Sequence, residues 1–465
     1  MPDLATAMTI NTTLLRSAIV AALGGLLFGF DTVVISGTTS ALTDLYHLSS
    51  LYLGVTVATA LVGTTLGAMF AGWPAEHFGR RDSLRGVAVV YIVSAVGSAF
   101  AWSWGSLLCF RLLGGLAIGA SSVIGPMYIA EIAPARLRGR LVGLFQFNVV
   151  FGILLAYFSN FLLGLAHFGT DEWRWKLGIA AVPSTLFLLF LFGIPRSPRW
   201  LAEKGRTAEA RDVLRIIGEP DYENSLREIV SSIDLAHSHG SEALFQRKYA
   251  LPIFLAVSIG MFNQLAGINA ILYYLNRIFA QAGFSKMSGD LQAVAIGAAN
   301  LIFTIVGMTI IDKAGRKVLL LIGALGTAAC LSGVAYIFAR NRHQEFLVWL
   351  LVGYIAFFAL SQGAVIWVYI SEVFPTRVRA KGQSLGAFTH WFMNTVIALT
   401  YPKFAEQSGA YPFVFFAVMM VVQFFVVWRI YPETRGVPLE EMQKRMEGAQ
   451  LRLSRPRTDL DNVRL

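Results

Sequence analysis

The sequence has few charged residues and almost no cysteine. Charged residues make up 14% of the 465-residue chain, whereas a soluble protein usually carries about 25%. The two cysteines, Cys109 and Cys330, lie inside apolar runs, which argues against a disulfide framework or a metal site. No Gly-x-x-x-x-Gly-Lys-Ser/Thr loop is present, which disfavours a nucleotide-driven pump. No nucleophile–base pair or metal-ligand set is visible either, so neither an enzyme nor a cofactor- or metal-dependent protein is expected.

Long apolar runs account for most of the chain. Hydrophobic residues make up 55% of it, with 34 Phe and a mean hydropathy of +0.60. A membrane-spanning helix needs about 20 mainly apolar residues. Twelve such runs lie near 16–38, 51–73, 85–104, 106–129, 140–165, 176–194, 249–280, 290–311, 318–339, 346–370, 382–402 and 411–430. The sequence therefore predicts an all-α membrane protein with twelve spans.

The runs form two groups of six around a polar segment. Segment 195–248 carries charged residues at helical spacing, which predicts short amphipathic helices at the membrane surface. One segment at each end of the chain is expected to lie on the cytoplasmic side. Its parts are an N-terminal segment 1–15, a six-helix half 16–194, a linker 195–248, a second six-helix half 249–431 and a tail 432–465.

The basic residues predict the orientation of these spans. Lys and Arg are enriched in the cytoplasmic loops of membrane proteins. With a cytoplasmic N-terminus, 30 of the 38 Lys and Arg residues fall inside, seven fall outside and Arg111 lies in a span. We therefore expect a multi-pass protein of the cell membrane with both ends in the cytoplasm. The net charge of +10 lies in short loops between spans, which disfavours nucleic-acid binding.

Three motifs occur twice, in the same order and at nearly constant separation. Glu76-His77-Phe78-Gly79-Arg80-Arg81 corresponds to Asp312-Lys313-Ala314-Gly315-Arg316-Lys317. Glu131-x-x-Pro-x-Arg-x-Arg138 corresponds to Glu372-x-x-Pro-x-Arg-x-Arg379, and Pro195 corresponds to Pro432. The offsets of 236, 241 and 237 residues indicate two parallel six-helix halves, a transporter layout with its substrate site at the midplane.

Charged residues at the ends of the repeated helices form a second candidate set. We interpret them as ion-pair latches between cytoplasmic helix ends that close when the cavity opens outward. The simpler alternative is that the basic residues only set the orientation of the spans in the membrane, but this role does not require fixed positions. The latch candidates are Arg80, Arg81, Glu131, Arg138, Arg316, Glu372 and Arg379.

One carboxylate in the first span and one arginine in the fourth are candidates for ion coupling. A charge inside the bilayer costs at least roughly 2.5–3.5 kcal/mol, so Asp31 should face a cavity or a partner. With antiparallel spans, Asp31 and Arg111 lie at comparable depth. The pair is either a static structural ion pair or a carboxylate that gains and loses a proton as its arginine moves. In the repeat, Asp31 overlays Asn269, so only one half carries the ionisable group.

Span seven concentrates amide and phenol side chains. An amide offers donors and an acceptor, which suits the paired hydroxyls of a sugar, although hydrogen bonding between helices is the alternative. Gly267 would let this helix loosen beside a ligand. The sugar-site candidates on span seven are Asn263, Gln264, Asn269 and Tyr273. Those on other spans are the polar residues Gln146, Asn300 and His390 and the stacking rings Trp367 and Trp391.

The motifs together resemble the sugar porter family of the major facilitator superfamily, over about 16–440. They read Phe78-Gly79-Arg80-Arg81, Pro126-Met127-Tyr128-Ile129-Ala130-Glu131, Arg138-Gly139, Trp173-Arg174-Trp175, Ser197-Pro198-Arg199-Trp200-Leu201, Gln264-x-x-Gly267-Ile268-Asn269-x-x-x-Tyr273-Tyr274 and Pro432-Glu433-Thr434-Arg435-Gly436. The resemblance implies sugar-binding roles for Gln146, Gln264, Asn269, Asn300 and Trp367, and roles lining the site for Phe28, Phe358 and Trp391. It also implies that Asp31 is the carboxylate of proton symporters and Arg111 its partner. The family pattern usually has Gln at position 263, Gln or Asn at position 390 and Glu at position 196. This sequence departs from it with Asn263, His390 and Arg196.

The sequence thus predicts a carrier that moves a monosaccharide, hexose or pentose, together with a proton by alternating access. No cofactor is expected besides the proton, and the carrier is expected to act as a monomer in the lipid bilayer. A facilitative uniporter with a structural Asp31 is the alternative within the same class. A non-transporting sugar sensor is the alternative from another class, and the 34-residue tail is short for a signalling extension.

Overall fold

The computed structural model describes residues 11–134, 137–238, 242–375, 378–435 and 437. Within these ranges the regular secondary structure is helical, without strands. Arg136 and Arg377 of the repeated motifs, and most of the predicted terminal segments 1–15 and 432–465, lie outside the described residues.

The N-terminal half contains six long helices. They are α1 (Thr12–Val34), α2 (Ser50–Phe70), α3 (Arg80–Ala99), α4 (Trp104–Ile132), α5 (Arg138–Leu165) and α6 (Ala181–Leu191). Helix α1 continues through a 3-10 turn, Ile35–Thr38, into the short helix Thr39–Tyr46. The short helix Gly72–His77 follows α2, and the short helix Glu172–Gly178 precedes α6.

The polar segment forms three helices at one end of the bundle, which we call the linker face. They span Pro198–Glu203, Thr207–Ile216 and Tyr222–Ser238. Trp200 is buried there, and its Nε1 donates to the Glu76 carbonyl at 2.9 Å. The linker is therefore anchored on the end of α2, and we call the opposite end of the bundle the far face.

The C-terminal half repeats the six-helix arrangement with two interrupted helices. Helix α7 has three pieces, Ala250–Leu265, Ile268–Tyr273 and Leu275–Gln281, and α10 has two, Leu347–Phe358 and Ala364–Val373, joined by the π-turn Ala359–Gly363. The continuous helices are α8 (Lys286–Ala314), α9 (Arg316–Arg340), α11 (Arg379–Gln407) and α12 (Tyr411–Ile430).

Eleven helical stretches of the described residues are long and apolar enough to cross a membrane. The remaining long helix, α11, has 29 residues, enough for a ~30 Å bilayer core at about 1.5 Å per residue. It is more polar because His390 and Asn394 lie in its middle and Arg379 and Lys381 in its first turn. The fold is an all-α membrane fold of twelve helical stretches of membrane-spanning length in two halves.

The halves meet through two helix pairs. Helix α2 packs on α11, and α5 packs on α8. Within the N-terminal half, α1 packs on α5 so closely that a Cβ at Gly29 would lie 1.8 Å from the Val149 carbonyl oxygen. This contact fixes the part of α1 that carries Asp31.

The break in α7 occurs at a glycine. Gly267 has a φ of +85°, in the left-handed region that disfavours residues with a Cβ. A Cβ here would also lie 2.3 Å from a ring carbon of Phe416. The backbone between the amides of α7 is thus non-helical at a position where only glycine fits.

Candidate functional site

The structure brings Asp31 and Arg111 together in the core of the N-terminal half. Arg111 Nη1 donates to Asp31 Oδ1 at 2.7 Å, and the side chains are 4% and 11% exposed for Arg111 and Asp31. Asp31 Oδ2 and Arg111 Nε are also buried but have no hydrogen-bond partner. Each residue of this pair thus has one buried polar atom without a partner, and such an atom is costly in a finished core.

A small cavity lies against this pair. Its volume is about 10 Å³, roughly the room needed for one water molecule. The lining includes Asp31, Arg111 and Phe28 of the N-terminal half, and Tyr273 of α7 and Trp391 of α11 close it from the other half. The ionisable pair is therefore adjacent to residues of the predicted sugar site.

The amides of α7 form one hydrogen-bonded cluster. Asn269 Nδ2 donates to Gln264 Oε1 at 3.0 Å, and Gln264 Nε2 donates to Asn263 Oδ1 at 3.0 Å. Gln264 Nε2 also lies 3.2 Å from His390 Nε2 of α11. The cluster crosses the break at Gly267, because Gln264 precedes the break and Asn269 follows it. A ligand with several hydroxyl groups could exchange partners with these amides.

Aromatic rings surround the amide cluster. Trp367 and Trp391 lie 5.2 and 5.1 Å from His390, measured between ring centroids, and Phe28 lies 5.4 Å from Trp391. Phe358 is buried beside the π-turn in α10. Such rings can stack on the apolar face of a sugar, and they link the cluster to the cavity beside Asp31.

Two sugar-site candidates lie away from the amide cluster. Gln146 is half-buried on α5 and Asn300 is buried on α8, two helices that pack across the halves. Between described residues, no hydrogen bond joins either side chain to the amides of α7.

The sequence analysis missed two polar residues of this region. Asn394 of α11 is fully buried, and its Nδ2 donates to the Tyr273 hydroxyl at 2.9 Å. The Gln362 carbonyl in the π-turn accepts from Asn263 at 3.4 Å. Asn394 lies one helical turn after His390, and this spacing could have identified it from the sequence. No sequence feature indicated the π-turn.

The two halves share a repeated ion-pair network at the linker face. Arg80 Nη2 lies 2.8 Å from Glu131 Oε1, and Arg316 Nη2 lies 2.9 Å from Glu372 Oε1. A hydroxyl residue two positions after each repeated proline completes the network: Ser197 donates to Glu131 and Thr434 donates to Glu372. Each pair lies within its own half. In this structure the pairs therefore brace the two halves separately and do not join them.

The remaining latch candidates have other partners. Arg81 pairs with Asp82, and Arg196 also donates to Asp82, at 3.1 Å. Arg138 Nε and Arg379 Nε donate to the Ala130 and Phe374 carbonyls. Asp82 thus provides a partner for Arg196, a contact that the sequence analysis did not identify.

The two halves are in direct contact on the far-face side of the site. The Tyr157 hydroxyl of α5 donates to the Leu272 carbonyl of α7 at 2.7 Å, across the halves. A Cβ at Gly54 would lie 2.2 Å from the Leu399 carbonyl oxygen, so α2 and α11 are in backbone contact there. In contrast, Trp367 is 40% exposed although its ring packs on His390.

Most of the chain matches a known family. A profile described as "Sugar (and other) transporter" matches residues 17–446. This chain belongs to the sugar transporter family. It is 34% identical over 463 residues to the D-xylose-proton symporter of Escherichia coli (strain K12), covering 91% of this chain and 94% of that relative. It is 36% identical over 434 residues to the arabinose-proton symporter of Bacillus subtilis (strain 168), covering 91% and 93%.

A solved structure of a family member has the same fold. The inward-open conformation of the xylose transporter XylE from E. coli superposes with a TM-score of 0.83 at 33% identity, covering 93% of this chain and 99% of that chain. The predicted family and the predicted twelve-helix fold are confirmed. The protein is a multi-pass membrane transporter and not an enzyme.

Proposed function

We propose that this carrier is a proton-coupled monosaccharide symporter that works by alternating access. The observation that supports this most directly is the buried Asp31–Arg111 pair beside a cavity that Phe28, Tyr273 and Trp391 also line. An ionisable group in contact with the sugar site can link protonation to sugar binding. The relatives named as xylose-proton and arabinose-proton symporters support the same function.

The substrate is a hexose or a pentose that binds between the halves. Gln264, Asn269, Asn263 and His390 offer donors and acceptors in one cluster, and Trp391 offers a stacking surface. A neutral, hydroxyl-rich ligand suits these neutral groups. Gln146, Asn300, Trp367, Phe28 and Phe358 would complete the site as the halves close on the ligand.

The linker face is assigned to the cytoplasm, with both termini on that side of the cell membrane. The excess of basic residues at this face supports the assignment. The contacts between the halves at the far face then close the site toward the outside, which agrees with the similarity to an inward-open relative. The unit of transport is one chain, and the coupling ion is a proton.

Coupling follows from the two states of the buried pair. In the structure, Arg111 contacts Asp31. In the outward-facing state Arg111 moves away, and Asp31 takes up a proton from outside. Return of Arg111 after the halves have rocked releases that proton inward, so that one proton accompanies each sugar.

Uptake into proteoliposomes tests this function. Labelled xylose, arabinose, glucose and a polyol are offered with and without a proton gradient that is acid outside. Accumulation of at least one sugar above its outside concentration, abolished by a protonophore, is the expected result. Uptake that stops at equal concentrations under both conditions would instead identify a uniporter.

A further inference from the structure

Four charged residues form a continuous chain across the two halves at the far face. Lys286 Nζ lies 2.5 Å from Glu172 Oε2, and Lys176 Nζ lies 2.7 Å from Glu172 Oε1. The same Lys176 Nζ lies 3.7 Å from Asp290 Oδ2. Charges of alternating sign thus run from Lys286 through Glu172 and Lys176 to Asp290, and they sum to zero.

Most of this chain is buried. Lys176 is fully buried, and Glu172 and Asp290 are 7% and 3% exposed, whereas the Lys286 side chain is 65% exposed. Buried charges are stable only with compensating partners, and removal of one partner is strongly destabilising. All four charges nevertheless lie where the two halves contact each other, and alternating access requires these halves to separate.

Each half supplies one anion and one cation, and within each half the two are four residues apart. Glu172 and Lys176 lie in the helix that precedes α6, and Lys286 and Asp290 lie in the first turns of α8. Residues four apart on a helix face each other and can pair. If the halves part, Glu172 retains Lys176, and Lys286 becomes free to pair with Asp290. Each half then stays neutral without its partner half.

The chain also contacts the helices that carry the two proposed sites. Lys176 Nζ donates to the Gly37 carbonyl at 3.2 Å in the turn that ends α1, the helix of Asp31. Asp290 accepts from Asn276, and Asn276 Oδ1 accepts from Ser36 at 2.8 Å. Asn276 belongs to the last piece of α7, the helix of Gln264 and Asn269. The charged chain is thus hydrogen-bonded, directly or through one residue, to both helices.

We propose that Glu172, Lys176, Lys286 and Asp290 form the outer gate of the carrier, and that the gate opens by exchange of ion pairs between halves for ion pairs within halves. This rests on the proposed sidedness and alternating access. The four residues act as positioning residues, since they control the approach of the halves and do not contact the sugar. Exchange leaves no uncompensated charge in either state, which keeps the energy difference between the two states small.

Cysteine labelling at the outer contact tests the gate. Val57 of α2 is buried and lines the cavity beside Asp31. A Val57→Cys reporter, made after replacing Cys109 and Cys330 by Ser, should therefore react slowly with a membrane-impermeant reagent added outside intact cells while the outer contact is closed. Lys286→Met and Asp290→Asn should each raise the labelling rate about three- to tenfold, because a closed-state partner is lost. The matched control is Glu345→Gln, whose only ion pair in the described structure is with His343 of the same half. It should label at the parental rate.

A charge exchange between halves separates this gate from a static brace. In the E172K/K286E double variant, the N-terminal half holds two cations and the C-terminal half two anions. In the closed gate, the two pairs across the interface offset the repulsion that replaces the Glu172–Lys176 pair. An opened gate leaves like charges four residues apart in each half, with no pair across the interface to offset their repulsion. Labelling should fall below the parental rate and transport should slow. A static brace predicts labelling at or above the parental rate, because the pair between positions 172 and 286 is restored with reversed polarity while the pair between positions 172 and 176 is lost.

The outcomes are decisive in both directions. Parental labelling of Lys286→Met and Asp290→Asn would overturn the gate, and Lys286 is exposed enough that its loss should leave folding intact, which a monodisperse gel-filtration profile checks. Parental labelling and transport by the double variant would overturn the exchange. None of these rates requires proton coupling, so a failure of symport in proteoliposomes would leave the gate result unaffected. Faster labelling from the cytoplasmic side would refute the proposed sidedness.

Discussion

The Asp31→Asn variant should lose uphill sugar transport and keep sugar exchange. In the structure, Arg111 donates to Asp31 Oδ1 at 2.7 Å, while Oδ2 has no partner. An asparagine with its carbonyl oxygen at the Oδ1 position keeps the bond from Arg111 and places its NH2 group where Oδ2 lies. The substitution therefore removes the negative charge and the titration while changing the shape of the site very little.

The size of the effect follows from a single coupling proton. One pH unit across the membrane corresponds to about 1.36 kcal/mol per proton, a factor of about ten in the concentration ratio. With a gradient of two units, one proton per sugar supports an accumulation of up to about 100-fold. The Asn variant, which cannot bind the proton, should reach a ratio of about one. Arg111 remains charged and buried in this variant, and since breaking a buried pair costs up to about 3–5 kcal/mol, we also expect a lower melting temperature.

The assay measures accumulation and exchange on the same proteoliposomes. Accumulation is driven by an imposed pH gradient, and exchange is followed as uptake of labelled sugar into vesicles loaded with unlabelled sugar. Asp44→Asn, at an exposed position in the short helix Thr39–Tyr46 that follows α1, is the matched control and should accumulate sugar normally. Gradient-driven accumulation by Asp31→Asn would refute the coupling role and leave Asp31 as a structural residue of a uniporter.

Three further predictions concern the sugar site, the linker face and the helix break. Gln264→Ala and Asn269→Ala should each weaken sugar binding by roughly 1–3 kcal/mol, about 5- to 150-fold in Kd, because hydroxyl partners are left unpaired; calorimetry that finds unchanged affinity in both would remove α7 from the site. Their effects should not add, because the two side chains share a hydrogen bond of 3.0 Å. Arg138→Ala should favour inward-open states and raise cysteine accessibility from the cytoplasmic side, and lost transport at parental accessibility would contradict a role in gating. Gly267→Ala should lower the melting temperature by several degrees, since it combines left-handed strain with a Cβ 2.3 Å from a phenylalanine ring of α12; Gly86→Ala, with open space around its Cβ, is the control, and equal melting temperatures would refute this reading of the break.

The sequence alone predicted the class and layout of the protein because both depend on properties that are local along the chain. A bilayer requires spans of a minimum length and few charges, so apolar runs could be counted. The repeat also predicted corresponding roles for corresponding residues. Arg80 with Glu131, and Arg316 with Glu372, occupy equivalent places in the two halves. The depth argument for Asp31 and Arg111 needed only the rise per residue of two antiparallel helices.

Contacts between helices were decided by the tertiary structure. Helical periodicity indicates which residues share a face of one helix, but not which helix that face meets or how the helices are rotated. Asn394 was therefore not assigned to Tyr273, nor Asp82 to Arg196, although each pair is in direct contact. The far-face chain has the same origin. Glu172 and Lys286 are 114 residues apart, and they pair only because the two halves close on each other at that end of the bundle.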